Sequence, residues 1–192
     1  MIRKYYENVK YIVAGGGIAL LLYYLSSNEC RNLIQKDVGA YMRKASQKKS
    51  LLELLFDESR RPFRNVFYFR LQQDECNRKL LKVCRWIIKP LSTIEIGGKI
   101  GGGLKIIHNY CVINVEEVGE NLTVLQGVTI GKDTNSKRPV IGNNVIIYPN
   151  SVVFGDIRIG DNVMIGAGTL VNKDIPNEAV VVGNPFRILD KK

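Results

Sequence analysis

The chain has 192 residues, of which 45% are hydrophobic, and a formal net charge of +10 at neutral pH. Its length suits one repetitive domain together with a smaller one. No nucleic-acid-binding motif accompanies the basic charge and the aromatic residues do not alternate with the basic ones, so nucleic acid is not an expected partner. The charge favours an anionic membrane surface, a ligand that carries phosphate groups, or a generally basic solvated surface.

Four irregularly spaced cysteines and a single histidine exclude the usual protein metal sites. Neither the cysteines (Cys30, Cys76, Cys84 and Cys111) nor the histidine has the spacing of metal ligands. We therefore expect no metal, and free thiols in a reducing cytoplasm.

The first 30 residues combine a basic start with an apolar run. Arg3, Lys4 and Lys10 precede residues 11–28, which carry no charge and include three consecutive glycines. A bilayer span needs about 20 residues, and such glycines are better tolerated in membrane helices than in soluble ones. Two interpretations stay open: an apolar helix buried against the helical domain or a neighbouring subunit, and a membrane-associated helix that holds the protein at the inner face of the membrane.

Residues 29–90 carry apolar side chains at helical spacing. The pattern predicts helices over 29–43, 51–56, 65–73 and 78–88, with Pro62 and Pro90 as breaks. In the last of these helices the predicted core residues are Leu80, Leu81, Cys84, Trp86 and Ile87.

From Ile94 onward, an Ile or a Val recurs at every sixth residue. The first series comprises Ile94, Ile100, Ile106, Val112, Val118, Val124 and Ile130, and the second comprises Ile141, Ile147, Val153, Ile159, Ile165 and Val171. This period matches neither a strand's alternation nor a helix, and it is typical of a parallel β-helix with inward β-branched side chains. The two series fall out of phase over Lys132–Pro139, which we expect to project as a loop. After Val171 we expect the chain to leave the coils and form a tail over residues 180–189.

Several glycine-containing segments resemble a known family. Residues 100–103 (IGGG), 126–131 (QGVTIG), 165–168 (IGAG) and 182–185 (VGNP) are similar to the hexapeptide-repeat acyltransferases. Within them the sequence most resembles serine acetyltransferases and the related O-acetyltransferases of surface polysaccharides. The resemblance implies a helical N-terminal domain (residues 1–91) and a left-handed parallel β-helix (92–192). It also implies a homotrimer, with pairing of trimers as an extension, and acetyl-CoA as the donor, whose phosphates the basic charge would suit.

His108 is the candidate catalytic residue. Residues 103–108 resemble the family segment that carries the catalytic histidine, which implies a general base for a hydroxyl that attacks the acetyl thioester. A structural role for this histidine is the alternative. No Ser or Cys has the context of a nucleophile, so direct transfer is expected.

Departures from the family pattern concern the acceptor. Thr93 stands where serine acetyltransferases hold the histidine with an aspartate, and Glu95 is the candidate substitute. Ile107 replaces the acidic residue that contacts the serine amino group in that family. Because an ammonium group requires a carboxylate nearby, these changes predict a saccharide hydroxyl as acceptor, with serine as the enzymatic alternative. A non-catalytic β-helical scaffold is the alternative of another class.

The remaining candidates bind donor or acceptor. Small residues permit close approach of the pantetheine arm, backbone N–H groups near glycines can stabilise an oxyanion, and cations can pair with phosphates. The donor-binding candidates are Gly127, Gly131, Gly166, Ala167, Lys173 and Arg187. The acceptor-binding candidates are Asn114, Gln126, Lys137 and Arg138. For Asn114 and Gln126, hydrogen bonds at the corners of the coils are the alternative role.

Overall fold

The structure is a computed structural model that describes residues 15–42, 50–75 and 77–189. The chain divides into two compact units, Met1–Leu91 and Ser92–Lys192. Part of the apolar run (residues 11–14) and most of the polar stretch after the first predicted helix (43–49) lie outside the described residues.

The described part of the first unit is helical. It contains α1 (Gly17–Leu25), α2 (Asn28–Ala40), α3 (Leu51–Phe56), α4 (Pro62–Gln73) and α5 (Arg78–Ile87), with a short 3₁₀ helix at Glu58–Arg60. Side-chain caps begin three of the helices: Ser27 begins α2, Ser50 forms a capping box with Glu53 in α3, and Asn77 begins α5. Pro62 was expected to break a helix, but it starts α4, because its fixed φ and missing N–H suit the first helical position.

The apolar N-terminal helix is buried along one side only. Ala19 and Leu22 are buried in α1, whereas Leu21, Tyr24 and Leu25 are exposed. Among the residues described, no helix combines the length and the apolar character that crossing a membrane requires.

The core of the helical unit includes an ion pair. The aromatic side chains of α4 are buried. Arg70 on the same helix donates two hydrogen bonds to Asp37 of α2, at 2.8 Å (Nε to Oδ2) and 3.1 Å (Nη2 to Oδ1). The two side chains are 0% and 1% exposed. Two charges at this depth are stable only together, so the pair ties α2 to α4.

The expected core face of α5 is partly wrong. Leu81, Cys84 and Ile88 are buried, but Trp86 is 75% exposed and Ile87 is also exposed. The buried residues follow helical spacing among themselves, and Trp86 lies on the opposite side of that helix.

The second unit is a parallel β-helix, as predicted. Its strands are β1 (Ile94–Ile100), β2 (Lys105–Ile106), β3 (Cys111–Val118), β4 (Thr123–Val124), β5 (Thr129–Gly131), β6 (Val140–Ile141), β7 (Ile146–Ile147), β8 (Val152–Phe154), β9 (Arg158–Ile159), β10 (Met164–Ile165), β11 (Leu170–Val171), β12 (Val180–Val182) and β13 (Arg187–Leu189). Face A is formed by the first parts of β1 and β3 with β5, β8 and β11; face B by their second parts with β6 and β9; and face C by β2, β4, β7, β10 and β12. These pairings are parallel, and only β13 folds back antiparallel on β12.

The six-residue series forms the inward row with one exception. All of its members are buried except Val112; Ile113 takes the inward place and aligns with Ile130. The coil has one residue more than expected between Ile106 and the next inward position, and the surplus lies around the turn at 107–110. A second buried row, two residues earlier in each coil, was not predicted. It includes Leu104, Leu122, Val128, Val145, Ile157 and Val163.

The β-helix also continues beyond its predicted end. Ile175 bridges to Ile159, and β12 pairs in parallel with β10, so the segment expected to be a tail adds another strand to face C.

The edge between faces B and C is held by asparagines. Asn121, Asn144 and Asn162 have positive φ (62°, 56° and 58°), which asparagine tolerates better than most residues. Their side chains form a ladder, in which Asn121 donates to Asn144 at 2.9 Å and Asn144 donates to Asn162 at 3.0 Å. The ladder holds successive coils in register along this edge.

One glycine in the first coil tests how tightly the coils stack. Gly98 has φ 102°, and a Cβ built on it would lie 2.1 Å from the carbonyl oxygen of Val115. We expect Gly98→Ala to destabilise the protein by about 2 kcal/mol or more, since both the backbone angle and the contact are unfavourable. The matched control is Gly39→Ala in α2, where an added Cβ meets nothing within 4 Å and a gain of up to about 1 kcal/mol is expected. Urea denaturation of both variants measures this, and equal stabilities would contradict the proposed stacking constraint.

Candidate active site

The turn between β2 and β3 presents His108 to solvent. His108 is exposed and has φ 72°, and Tyr110 in the same turn has φ 63°. The backbone on either side of the histidine is fixed on the next coil, because Ile107 donates to the carbonyl of Val124 at 2.8 Å and the carbonyl of Asn109 accepts from Gly127 at 3.3 Å. The backbone that carries the imidazole is therefore held in place at a corner of the β-helix.

Four turns stack beneath one another at this corner, and we call them the histidine edge: residues 107–110, 125–127, 148–150 and 166–168. Asn150 donates to the carbonyl of Gln126 at 3.0 Å, and Gly168 donates to the carbonyl of Pro149 at 2.9 Å. The structure therefore brings five predicted site residues to one edge of a single chain: His108, Gln126, Gly127, Gly166 and Ala167.

Two glycines of the histidine edge also have structural duties. The N–H of Gly127 already donates to Asn109, so it is engaged within the protein and not free for an oxyanion. A Cβ on Gly166 would lie 2.7 Å from Cγ1 of Val182, so the stacking of coils alone favours glycine there. Ala167, in contrast, is exposed, as a residue beside a ligand would be.

Glu95 lies on β1 and pairs in register with Val112, beyond the histidine turn. No hydrogen bond joins Glu95 to His108 among residues 77–189, and its orienting role stays a prediction. Thr93 lies nearer to the histidine turn than Glu95 does, because its carbonyl accepts from Cys111 at 3.1 Å. Its Oγ1 is buried without a partner among those residues.

A second group of candidates, the loop edge, lies at the other end of face A and comprises the acceptor candidates Asn114, Lys137 and Arg138 with the donor candidate Gly131. Asn114 ends the first part of β3, Gly131 ends β5, and the loop 132–139 carries Lys137 and Arg138. Asp133 organises the loop, because its Oδ1 accepts from the backbone N–H groups of Asn135 and Lys137, both at 2.9 Å. Within one chain these residues lie together, but face A separates them from His108.

Lys173 and Arg187, the two cations expected to pair with the phosphates of the donor, are both exposed. Lys173 follows β11 on the same side as the loop edge, and Arg187 lies on β13, paired in register with Val182. Neither forms an ion pair within the described part of the chain. Both therefore have their charge available to an anion.

Comparisons with known proteins support the transferase resemblance. Residues 138–173 match the family model described as bacterial transferase hexapeptide (six repeats). The serine acetyltransferase of Staphylococcus epidermidis is 40% identical over 65 residues, which is 31% of this chain and 30% of that protein. That of Helicobacter pylori is 38% identical over 77 residues, 36% of this chain and 43% of that protein. The matches thus span less than half the length of these curated relatives.

Solved structures extend the similarity to most of the chain. Serine acetyltransferase of Neisseria gonorrhoeae, crystallised with serine, is 25% identical with a TM-score of 0.65, and the match covers 85% of this chain and 70% of that one. The chain thus resembles hexapeptide-repeat transferases of the serine acetyltransferase type in both sequence and fold. A serine acetyltransferase solved with CoA has the same fold, with a TM-score of 0.67 at 24% identity over 89% of this chain and 74% of that one.

The excess basic charge of the protein does not lie on the β-helix. Residues 1–91 contain 18 Lys and Arg against 8 Asp and Glu, whereas residues 92–192 contain 10 of each kind. The helical unit therefore carries the entire excess of +10, and the β-helix is neutral. A phosphate-bearing donor bound to residues 92–192 would therefore meet individual cations and no net positive charge.

Cys111 lies under the histidine turn, and its thiol is not a candidate nucleophile. Burial raises its pKa above the ordinary value, although the backbone N–H groups of Val128 and Gly127 oppose the shift, and Sγ donates to the carbonyl of Leu125 at 3.1 Å. A raised pKa leaves less reactive thiolate at any pH below it.

We therefore expect iodoacetamide to alkylate Cys111 more slowly in the native protein than in the protein unfolded in urea. At pH 8 the difference in rate should be about tenfold or more. Peptide mass spectrometry measures the modification at this cysteine. Cys84, whose pKa is raised by burial in the helical unit, serves as an internal comparison. Equal native and unfolded rates at Cys111 would contradict its assigned environment.

Sequence reasoning missed one residue of the histidine turn, Tyr110, which is 71% exposed two positions after His108. Nothing in a single sequence distinguishes this tyrosine from the others. Thr93 was named from the resemblance, but the sequence did not show that its hydroxyl is buried with no hydrogen-bond partner among residues 77–189.

Proposed function

We propose that the protein is an acetyl-CoA-dependent O-acetyltransferase in which His108 is the general base. The observation that carries the proposal is the exposed imidazole at the head of a stack of turns, which includes the small residues Gly166, Ala167 and Gly168, in a β-helix similar to that of serine acetyltransferases. Such an edge gives a long thioester donor an open backbone to lie along, with the base at one end.

In the proposed reaction the imidazole of His108 takes the proton of an acceptor hydroxyl while its oxygen attacks the thioester carbonyl. The tetrahedral intermediate then collapses, the carbon–sulfur bond breaks, and the imidazolium returns its proton to the leaving thiolate. The acetyl group passes directly to the acceptor, which agrees with the buried and protonated state of Cys111. Positioned proton transfer of this kind contributes about 10²–10⁴-fold to the rate.

The donor proposal draws on the neighbour that was solved with CoA and on the free charges of the chain. Ala167 is exposed on the histidine edge, and Lys173 and Arg187 are exposed cations that can pair with phosphates. Because residues 92–192 carry no net charge, these two cations would account for much of the attraction for the nucleotide.

We further propose a homotrimer in which two chains complete each site. His108 and the loop that carries Lys137 and Arg138 lie at opposite ends of face A, so a single chain does not join them. A neighbouring copy can bring its loop edge to the histidine edge of the first. Pairing of such trimers is an extension of the same proposal, and the free thiols of Cys30, Cys84 and Cys111 agree with a cytoplasmic location.

L-serine is the acceptor that the comparisons favour. The curated relatives are serine acetyltransferases, and the gonococcal structure holds serine. This ranks the amino acid above the saccharide that the residues around His108 predicted, and it makes serine the first acceptor to test.

A saccharide hydroxyl is the second candidate, and a specific observation favours it. Ile107 precedes His108, and Thr93 lies across from the histidine turn, so the acidic side chains expected for an ammonium group are missing at both places. Glu95 is the acidic residue of β1, and it is in register with Val112.

A thiol-release assay with acetyl-CoA decides between these functions. L-serine and a panel of neutral mono- and oligosaccharides serve as acceptors for wild type and for His108→Asn in parallel. His108-dependent turnover on serine supports the first acceptor, whereas turnover on a sugar alone supports the second. If only a sugar is acetylated, Ile107→Asp should increase turnover on serine, because it supplies the missing carboxylate.

The same protein tests the non-catalytic alternative of a β-helical scaffold. A donor present at 100 times its dissociation constant stabilises the folded state by about 2.7 kcal/mol, which a thermal melt detects readily. No shift in melting temperature with saturating acetyl-CoA, together with no thiol release, would overturn the proposed function.

A further inference from the structure

The exposed side of α5 combines cations with large apolar side chains. Lys79, Lys82, Val83 and Trp86 are spaced by three and four residues, which places them on one stripe of the helix, and Lys89 continues the stripe just past its end. Trp86 is 75% and Val83 47% exposed, and all three lysines are exposed. We call these five residues the α5 surface.

A basic groove runs beside the α5 surface. It has a volume of about 360 Å³ and is lined by Gln72, Glu75, Arg78, Leu81, Lys82 and Arg85. Three of its lining residues are cations and one is a carboxylate, so its net charge is positive. The guanidinium of Arg85 is held over the ring of Tyr68 at 5.5 Å, which fixes one of these cations in place.

We propose that the α5 surface binds the anionic lipid surface of a membrane, with Trp86 and Val83 entering the interface and the lysines contacting headgroups. Amphipathic basic helices with a tryptophan bind membranes in this way, by burying apolar area and attracting acidic lipids. Residues 78–89 contain five basic residues and no acidic one. The helical unit as a whole carries the +10 excess, so the field around this helix favours an anionic surface.

Two other partners fit these observations less well. A nucleic acid would use the lysines but leave Trp86, Val83 and the neighbouring aliphatic residues in water. A second copy of the chain would cover the apolar side chains, but it would bring two strongly basic units together. The apolar character continues onto α1, which packs against α5 and exposes Leu21 and Leu25. Gly15, just before α1, lies against Ile87.

Trp86 is the only tryptophan of the chain, so its fluorescence reports on this surface alone. The full-length protein is mixed with vesicles of neutral phosphatidylcholine, or of phosphatidylcholine with 30 mol% phosphatidylglycerol as probe. We expect a blue shift and co-sedimentation with the anionic vesicles only, both reversed by 0.5 M NaCl.

Two charge-reversal variants supply the matched comparison. Lys79→Glu/Lys82→Glu should weaken partitioning by about fivefold or more for each lysine changed. Lys99→Glu/Arg158→Glu alters two exposed cations of the β-helix by the same amount and should bind like wild type. Circular dichroism confirms that both fold.

The proposal is overturned if Trp86 does not shift with anionic vesicles, or if both double variants lose binding equally. A shift with duplex DNA but not with vesicles would assign the surface to nucleic acid. A blue-shifted Trp86 in lipid-free protein that reverts on dilution would assign it to self-association.

Discussion

Replacing His108 with asparagine should lower kcat/KM for acetyl transfer by about 10²–10⁴-fold, with little change in the melting temperature. The imidazole is the proposed base, and no other histidine can take over its task. Asparagine tolerates the left-handed backbone of this position (φ 72°), and the side chain is exposed, so folding should be preserved. Thiol release at saturating and limiting acetyl-CoA separates the effect on kcat from that on KM.

The control for His108→Asn is Glu178→Asn, which places the same residue at another exposed position with positive φ (60°) in the β-helix. It should retain wild-type activity. If His108→Asn keeps activity within tenfold of wild type, His108 is not the base, and the exposed imidazole has another role.

Asp37→Ala should destabilise the protein by about 3–5 kcal/mol, because it leaves the guanidinium of Arg70 buried without its charge partner. Urea denaturation followed by circular dichroism measures this loss. Asp156→Ala is the matched control, since Asp156 pairs with Lys137 at 3.6 Å in the open, where a loss of about 0–1 kcal/mol is expected.

A double variant distinguishes the buried charge from simple loss of packing. Asp37→Leu/Arg70→Met removes both charges and should recover most of the stability lost in Asp37→Ala, because hydrophobic replacements of buried ion pairs are often neutral. If the double variant is as unstable as the single one, the shape of the site matters more than the unpaired charge.

The β-helix could be predicted because its repeat places one inward β-branched side chain on each side of every coil. The error at Val112 has a simple origin: Val112 and Ile113 are adjacent and both β-branched, so neither residue type nor period shows which one turns inward. Only the positive φ values of the turn at 107–110, which are a property of the backbone, reveal the extra residue.

Periodicity was less informative in the helices. The apolar residues of α5 occupy both sides of the helix, so spacing alone cannot tell that Leu81 and Cys84 are buried while Trp86 is exposed. The answer depends on which helices pack against it, and that is a tertiary property.

For the candidate site, the resemblance named His108, Gln126 and Ala167 as site residues, and the structure shows that their turns stack on one edge. The resemblance also named Lys137, which face A separates from these residues within a single chain. Residue spacing cannot distinguish a site within one chain from one completed by a copy, since both satisfy the same pattern. The location of the basic charge in the helical unit follows from the sequence once the domain boundary is known, by counting the charged residues on each side of it.

The loop at 132–139 begins and ends on strands that both pair with β3: β5 with Val112 and Ile113, and β6 with Glu117 and Val118. Its two stems are therefore anchored to one continuous neighbour, whereas the backbone hydrogen bonds of Asp133 and Ser136 close within the loop itself. This loop can therefore be lengthened, shortened or replaced while the β-helix stays intact. We expect the proposed acceptor preference to change when this loop alone is grafted, with the scaffold and His108 left as they are.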